Sequence, residues 1–397
     1  MSSPLARLRS RRAEHERWLL ELTAIPTAAG REDRVIEWVL AWARRRRRSV
    51  GVAADPAGNL FLHQGPVTTA AGHPPTQRPL LVTAHLDHPA FVVTQVVDTR
   101  RVHVEFRGGV HPPYFEDAAI ELIDRTDRAR RAVLTGATEG PGPFKRYAAT
   151  VRGGTRGLDV GDIGRWALRA PRIVKRGGLR LIETHACDDL AAVAAALAFF
   201  DTVAGRPGFE HVGLLLTVAE EVGFIGAIAT ARTGGVPRDA RLICLENSRS
   251  FADSPIGAGA ILRVGDRLSV FSPDLTNRLG QVFTAHQRRD PAFRFQRKLM
   301  AGGACEATAF AAYGYESTCL CLPLGNYHNM VDIDGVLGGA RPAKMGPEFV
   351  SVDDFHGLTT MLVVAASDLD GNAAPPLRDR MEQIFGENKC AVAALGG

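Results

Sequence analysis

Five short groups of acids and imidazoles stand out along the 397-residue chain. They are His85-x-Asp87, Asp188-Asp189, Glu220-Glu221, Glu246 and His328. Each alone is commonplace. A His-x-Asp pair is usually a surface or core pair, Asp-Asp before a helix is usually an N-cap, and Glu-Glu at a helix start complements the helix dipole. Together they say more. Four of the five follow apolar strands or open a helix, which is where ligands of open α/β sheets gather. Taking Asp188, Glu221 and Glu246 as ligands gives three negative charges, with His85 and His328 neutral. Two divalent cations bring four positive charges, and a bridging hydroxide brings the total close to zero. Without cations, three clustered carboxylates would raise one another's pKa. Glu220 is then left beside a ligand, free to act as a base. Five ligands and a base suit hydrolysis by two metal ions spaced about 3.5–4 Å apart.

The elements that must position these residues read as an α/β chain. PLLVTAHLDH is a fully apolar strand, as in a sheet covered on both faces. VGVAADPAGNLFLHQG is strand-like around an Asp-Pro/Gly-Asn turn. Amphipathic helices are expected over 14–25 and 31–48, the second ending in the solvated run Arg44 to Arg48. A Pro/Gly/Thr-rich loop follows at 65–78. Residues 89–184 change character to short alternating stretches broken by Gly and Pro, the pattern of a small β-rich insertion. Helix then alternates with strand: helices 189–204, 223–233 and 275–289, strands 211–218, 240–246 and 317–323, a loop at 325–350, and a helix over 352–369 opened by Ser351-x-x-Asp354. The expected fold is a mixed-sheet α/β/α sandwich carrying an inserted small β-rich domain. The expected division is a catalytic domain over 1–88 and 185–373, an insertion over 89–184 and a tail over 374–397.

Composition is that of an ordinary globular protein, with 45% hydrophobic and 23% charged residues and a net charge of +5. No run of 18 apolar residues could span a membrane, and the basic start lacks an apolar stretch and cleavage site. The basic residues are mostly Arg and form no nucleic-acid signature. None of the six cysteines sits in a CxxC or zinc-finger spacing, so free thiols in a reducing, cytoplasmic compartment are expected.

The series HLDHPAFVV, CDDLAAV, TVAEEVGFIGA, ICLE, GGACEA and NYHNM resembles the motifs of the tetrahedral aminopeptidases, two-metal peptidases similar to glutamyl and leucyl aminopeptidases. Zinc carboxypeptidases and amino-acid deacylases are more distant relatives. GREDRVIEWV and AGNLF match the family's opening pattern, and GGVHPPYFEDAAIEL and GLDVGDIGRW resemble motifs of its inserted domain. The resemblance implies that Asp188 bridges the metals, that His85 and Glu246 complete one site, and that Glu221 and His328 complete the other. It makes Glu220 the general base and Asp87 a partner of the second nitrogen of His85. It also implies a cis peptide between Asp188 and Asp189, with Asp189 capping the next helix. The cofactors implied are two divalent ions, zinc or cobalt, with manganese as an alternative. The resemblance implies a short peptide substrate with a free N-terminus and assembly into a homo-oligomer through the insertion; no nucleic-acid or membrane partner is expected. Two alternatives stand beside this: a deacylase or amidase acting on an N-acyl amino acid or small amide, and a non-catalytic assembly protein. A free α-amine marks the peptidase's substrate and a free carboxylate the deacylase's, so an arginine in the pocket would favour the deacylase. The chain departs from the family at His88, where Glu or Gln is usual, at Glu246, where Asp is common, at the GGACEA loop, and in a longer segment after His328.

Overall fold

The computed structural model describes residues 3–64, 77–371 and 377–392. Residues 65–76 of the expected Pro/Gly/Thr-rich loop lie outside these. The architecture is a mixed α/β sandwich with a β barrel inserted into it. Its centre is an eight-stranded sheet in the order Val50–Ala54, Leu60–Gln64, Val212–Thr217, Leu80–His85, Arg241–Arg249, Glu316–Leu324, Ala260–Asp266, Phe295–Met300. The four strands in the middle, from Val212–Thr217 to Glu316–Leu324, all run parallel. Their continuous apolar runs follow from burial on both faces.

Alternation along each strand sorts the side chains between two cores. Val82, Leu214, Ile243 and Leu320 pack with helices 12–22, 190–203, 273–289 and 352–368 on one face. Leu215, Leu242, Cys244 and Cys319 pack with helices 225–233 and 306–312 on the other. The helix Leu190–Val203 is buried all round, which explains why it is rich in alanine and carries no polar stripe.

Between Ala90 and Trp166, six strands close a barrel around Phe91, Phe106, Phe115 and Trp166, whose rings meet edge to face or tilted. The next two strands, Arg172–Arg176 and Leu179–Thr184, do not join it. They pair with Glu348–Ser351 in a separate three-stranded sheet. The stretch expected as a loop at 325–350 contains that last strand and a short helix, Ile333–Leu337. Met330, Ile333 and Val336 from this stretch enter the barrel core. Ser351 caps the helix Val352–Asp368 by accepting from the amides of Asp353 and Asp354. Asp354 does not close a reciprocal box; it accepts from Gly257 and Gly259. In the tail, helix Leu377–Asn388 leaves Leu377, Met381, Ile384 and Phe385 exposed. No helix among the described residues is long and apolar enough to cross a membrane.

Candidate active site

The parallel strands deliver their C-terminal ends to one edge of the sheet. His85 ends the strand Leu80–His85, Glu220 and Glu221 follow Val212–Thr217, Glu246 lies in Arg241–Arg249, and His328 follows Glu316–Leu324. Asp188 enters from the separate sheet, just before helix Leu190–Val203. All six side chains converge there. The Asp188 carboxylate divides the cluster: Oδ1 lies 3.4 Å from Nε2 of His85, and Oδ2 lies 3.4 Å from Nε2 of His328. Glu246 is 3.7 Å from Nε2 of His85, and Glu221 is 3.4 Å from Nε2 of His328. Glu220 reaches within 3.9 Å of the same His85 nitrogen. The peptide between Asp188 and Asp189 is cis, as expected.

The Glu220–Glu221 turn is held through its backbone. The amides of Val218, Ala219, Glu220 and Glu221 donate in turn to Asn59 Oδ1, Glu32 Oε1, Asp87 Oδ1 and Asp87 Oδ2, at 3.0, 2.9, 3.0 and 3.0 Å. Ala219 sits at φ 52°, a left-handed conformation that a non-glycine residue adopts at some cost, and the captured amides offset it. This accounts for the opening motifs: GREDRV supplies Glu32 and AGNLF supplies Asn59. Asp87 thus has a second task beside the one expected of it. Nδ1 of His85 lies 3.2 Å from the Asp87 carbonyl oxygen and 3.4 Å from its carboxylate. Asp189, expected to cap its helix, does not. Its carboxylate accepts from the His85 amide and from Asn247 Nδ2.

The other half is held from different quarters. Glu348 accepts from the amides of Asp188 and His328, at 3.0 and 2.8 Å. Nδ1 of His328 contacts the carbonyl oxygen of Gly109, at 2.5 Å. Gly109 belongs to the inserted segment, so the barrel region orients a residue of the cluster. Neither Glu348 nor Gly109 was singled out in the sequence.

Burial sets the electrostatics. It pushes Glu220, Glu221 and Glu246 well above the usual carboxylate range, with Asp188 adding to the rise in the last two. Burial opposes the charge on Asp188 as well, yet the imidazoles of His328 and His85 beside it draw it below the usual range. Oδ1 of Asp188 and Oε1 of Glu221 are buried without a hydrogen-bond partner. Buried carboxylate oxygens left bare in this way call for a cation. The donor set fits one. Groups including His85, Asp188 and Glu246, or Asp188, Glu221 and His328, each bring their ligand atoms within 4.8 Å of one another.

The cluster opens onto a cavity of about 530 Å³ lined by Val110, Arg249, Arg263, Arg267, Tyr327 and Met330, among others. Arg263 is 2% exposed; its Nη1 donates to Ser248, and its Nη2 is 3.9 Å from Asp266.

Residues 154–338 match the M42 glutamyl aminopeptidase family. The match covers a little under half of the chain. With the aminopeptidase structures that share the chain's fold, it supports a hydrolase, of the type the motif series resembles. No curated protein matches the chain. Several solved structures share the fold. An aminopeptidase from the archaeon Desulfurococcus kamchatkensis is 18% identical, with TM-score 0.68, covering 90% of this chain and 95% of its own. The Pyrococcus horikoshii TET1 peptidase, which assembles into a tetrahedron or a large octahedral shell, is 17% identical, with TM-score 0.67 over 89% and 99%. A TET aminopeptidase from a marine sediment thaumarchaeon is 16% identical, with TM-score 0.69 over 91% and 99%.

Proposed function

We propose that this chain, similar over residues 154–338 to the M42 glutamyl aminopeptidases, is a two-metal aminopeptidase that removes N-terminal residues from short peptides. One observation carries the reading: the two oxygens of Asp188 face two different histidines, each with its own glutamate alongside. His85 and Glu246 would hold one divalent ion, Glu221 and His328 the other, and Asp188 both. When bound, such ions, zinc or cobalt, polarise the scissile carbonyl and acidify water. Glu220 takes the water's proton and returns it to the leaving amine. Burial keeps its pKa high, which suits a group that must hold and then release that proton. Asp87 steadies His85 and the Glu220 turn together.

Assembly belongs to the same reading. The Pyrococcus horikoshii TET1 peptidase can assemble into a tetrahedron or an octahedral shell, and the barrel is the element this fold adds to the sandwich, so we expect at least a dimer formed through it. A light-scattering mass near the 42.7 kDa of one chain at micromolar concentration would contradict this.

Arg263 favours substrates bearing a carboxylate. It is a buried cation lining the cavity, and the one carboxylate in ion-pair range of it among the described residues, Asp266, stands 3.9 Å away. The carboxylate could be an acidic side chain on the N-terminal residue or the free end of an N-acyl amino acid. Rates on aspartyl and glutamyl anilides, leucyl anilide and N-acetyl amino acids decide the matter. The aminopeptidase reading expects turnover of the anilides alone. Turnover of the N-acyl compounds alone would replace it with a deacylase, and turnover of neither, with zinc bound, would leave a non-catalytic protein.

A further inference from the structure

His88 stands where the family usually has Glu or Gln, and the segment DIDGVLGGARPAKMGPEF, residues 332–349, is the one longer than expected. His88 meets Asn329, three residues ahead of that segment. Nε2 of His88 lies 3.1 Å from Oδ1 of Asn329, while its Nδ1 contacts the backbone carbonyl oxygen of Asp188. Asn329 is fixed in turn: its Nδ2 donates to the His185 carbonyl at 2.9 Å, and its own carbonyl accepts from Gly346 at 2.8 Å. The residues leading from Asn329 into that segment are anchored on the barrel, with Met330 and Ile333 in the barrel core and Val331 accepting from the Tyr114 hydroxyl at 2.7 Å. His88 and Asn329 are 5% and 1% exposed, so their contacts meet little competition from water.

We propose that His88 and Asn329 form a positioning pair that fixes the backbone of Asp188 and ties it, through the segment after His328, to the barrel. The inference rests on the two-metal reading above. The backbone at Asp188 is then held from both sides, its amide by Glu348 and its carbonyl by His88. Its side chain makes neither of those contacts and remains available to a cation. Groups that orient a metal ligand in this way commonly change metal affinity about 10–100-fold when removed. Both neighbours are acceptors, so a neutral ring donates either from Nδ1 to the Asp188 carbonyl or from Nε2 to Asn329 Oδ1, and the rigid ring has less freedom to lose than a Glu or Gln side chain.

The test is a calorimetric titration of the metal-stripped full chain with zinc. Asn329→Gly removes the partner amide while keeping a residue that tolerates the observed φ of 65°. It and His88→Leu, each as a single variant, should weaken zinc binding by about 10–100-fold. The double variant should be little worse than the weaker-binding single, because the two residues act as one unit. His88→Gln, which can still reach the Asp188 carbonyl, should recover most of the affinity. Substrate KM should move little in any variant that binds zinc. Wild-type zinc affinity in both singles, or losses that multiply in the double, would overturn the pair and leave the two-metal reading standing. A wild-type chain that binds no zinc would overturn that reading and the pair with it. Should His88→Leu fail to fold, Asn329→Gly against wild type decides between the same outcomes.

Discussion

The two halves of the cluster are built differently. His85 and Glu246 sit on adjacent strands of the sheet, each in register with a parallel neighbour on its far side, His85 opposite Thr217 and Glu246 opposite Cys321. Glu221 and His328 sit on connecting turns. Each depends on polar side chains and carbonyls borrowed from distant parts of the chain: Asp87 for Glu221, and Glu348 and Gly109 for His328. A strand-borne ligand is placed by the fold; a turn-borne ligand is placed by whatever captures the turn. Only the second kind is open to adjustment by neighbouring elements, and here those include the barrel and the segment after His328.

Four substitutions sharpen that contrast. The largest effect is expected from Asp188→Asn, because Asp188 belongs to both halves. Metal analysis should find fewer than two ions per chain, and turnover should fall by about a thousandfold or more. Two ions at full occupancy would show that the halves do not share it. Glu220→Gln should keep both ions yet lower kcat by roughly 10²–10⁴-fold, since an amide cannot take the proton. Retention of a tenth of the wild-type rate would remove Glu220 from the base role. Glu348→Gln loosens His328, which belongs to the turn-borne half alone, together with the shared Asp188. It should weaken the zinc-binding step at the turn-borne half by roughly 10–100-fold and the other step less. Equal weakening of both steps would dissolve the distinction between the halves.

The smallest effect concerns pH. Burial, helped by the charge of Asp87, pushes Glu32 up to about 7. A carboxyl raised in the folded state binds its proton there more tightly than in the unfolded chain. Its contribution is therefore present at low pH and is lost as pH rises from about 4.5 toward 7. Glu32→Gln should flatten this loss, worth roughly 1–3 kcal/mol. Thermal unfolding of the metal-free protein from about pH 4.5 to about pH 8 reads it directly. Unchanged slopes in the variant would mean that Glu32 is ionised throughout.

What the sequence revealed follows the same division. The sandwich was readable because apolar strands and amphipathic helices repeat with distinct periods. His85 and Glu246 were readable because they follow apolar runs, although the strand of Glu246 continues to Arg249. Asp188, Glu220 and His328 were found through pairs and motifs, with the cis peptide implied by the same resemblance. Asn59, Glu32 and Glu348 were not assigned roles. Each is a single polar residue of a common type, and the amides it captures lie far along the chain, 159, 187 and 160 residues away for Val218, Ala219 and Asp188. No local pattern marks such a partnership. The end of the barrel at Trp166 was obscured for a related reason. The strands Arg172–Arg176 and Leu179–Thr184 alternate much as barrel strands do, and only their pairing with Glu348–Ser351 separates them.

The central claim is that one carboxylate serves two cations. Anomalous X-ray diffraction from crystals of the full chain grown with zinc tests it most directly. The account predicts two peaks about 3.5–4 Å apart on either side of Asp188, one beside His85 and Glu246, the other beside Glu221 and His328. A single peak, or two peaks that do not share Asp188, would contradict it.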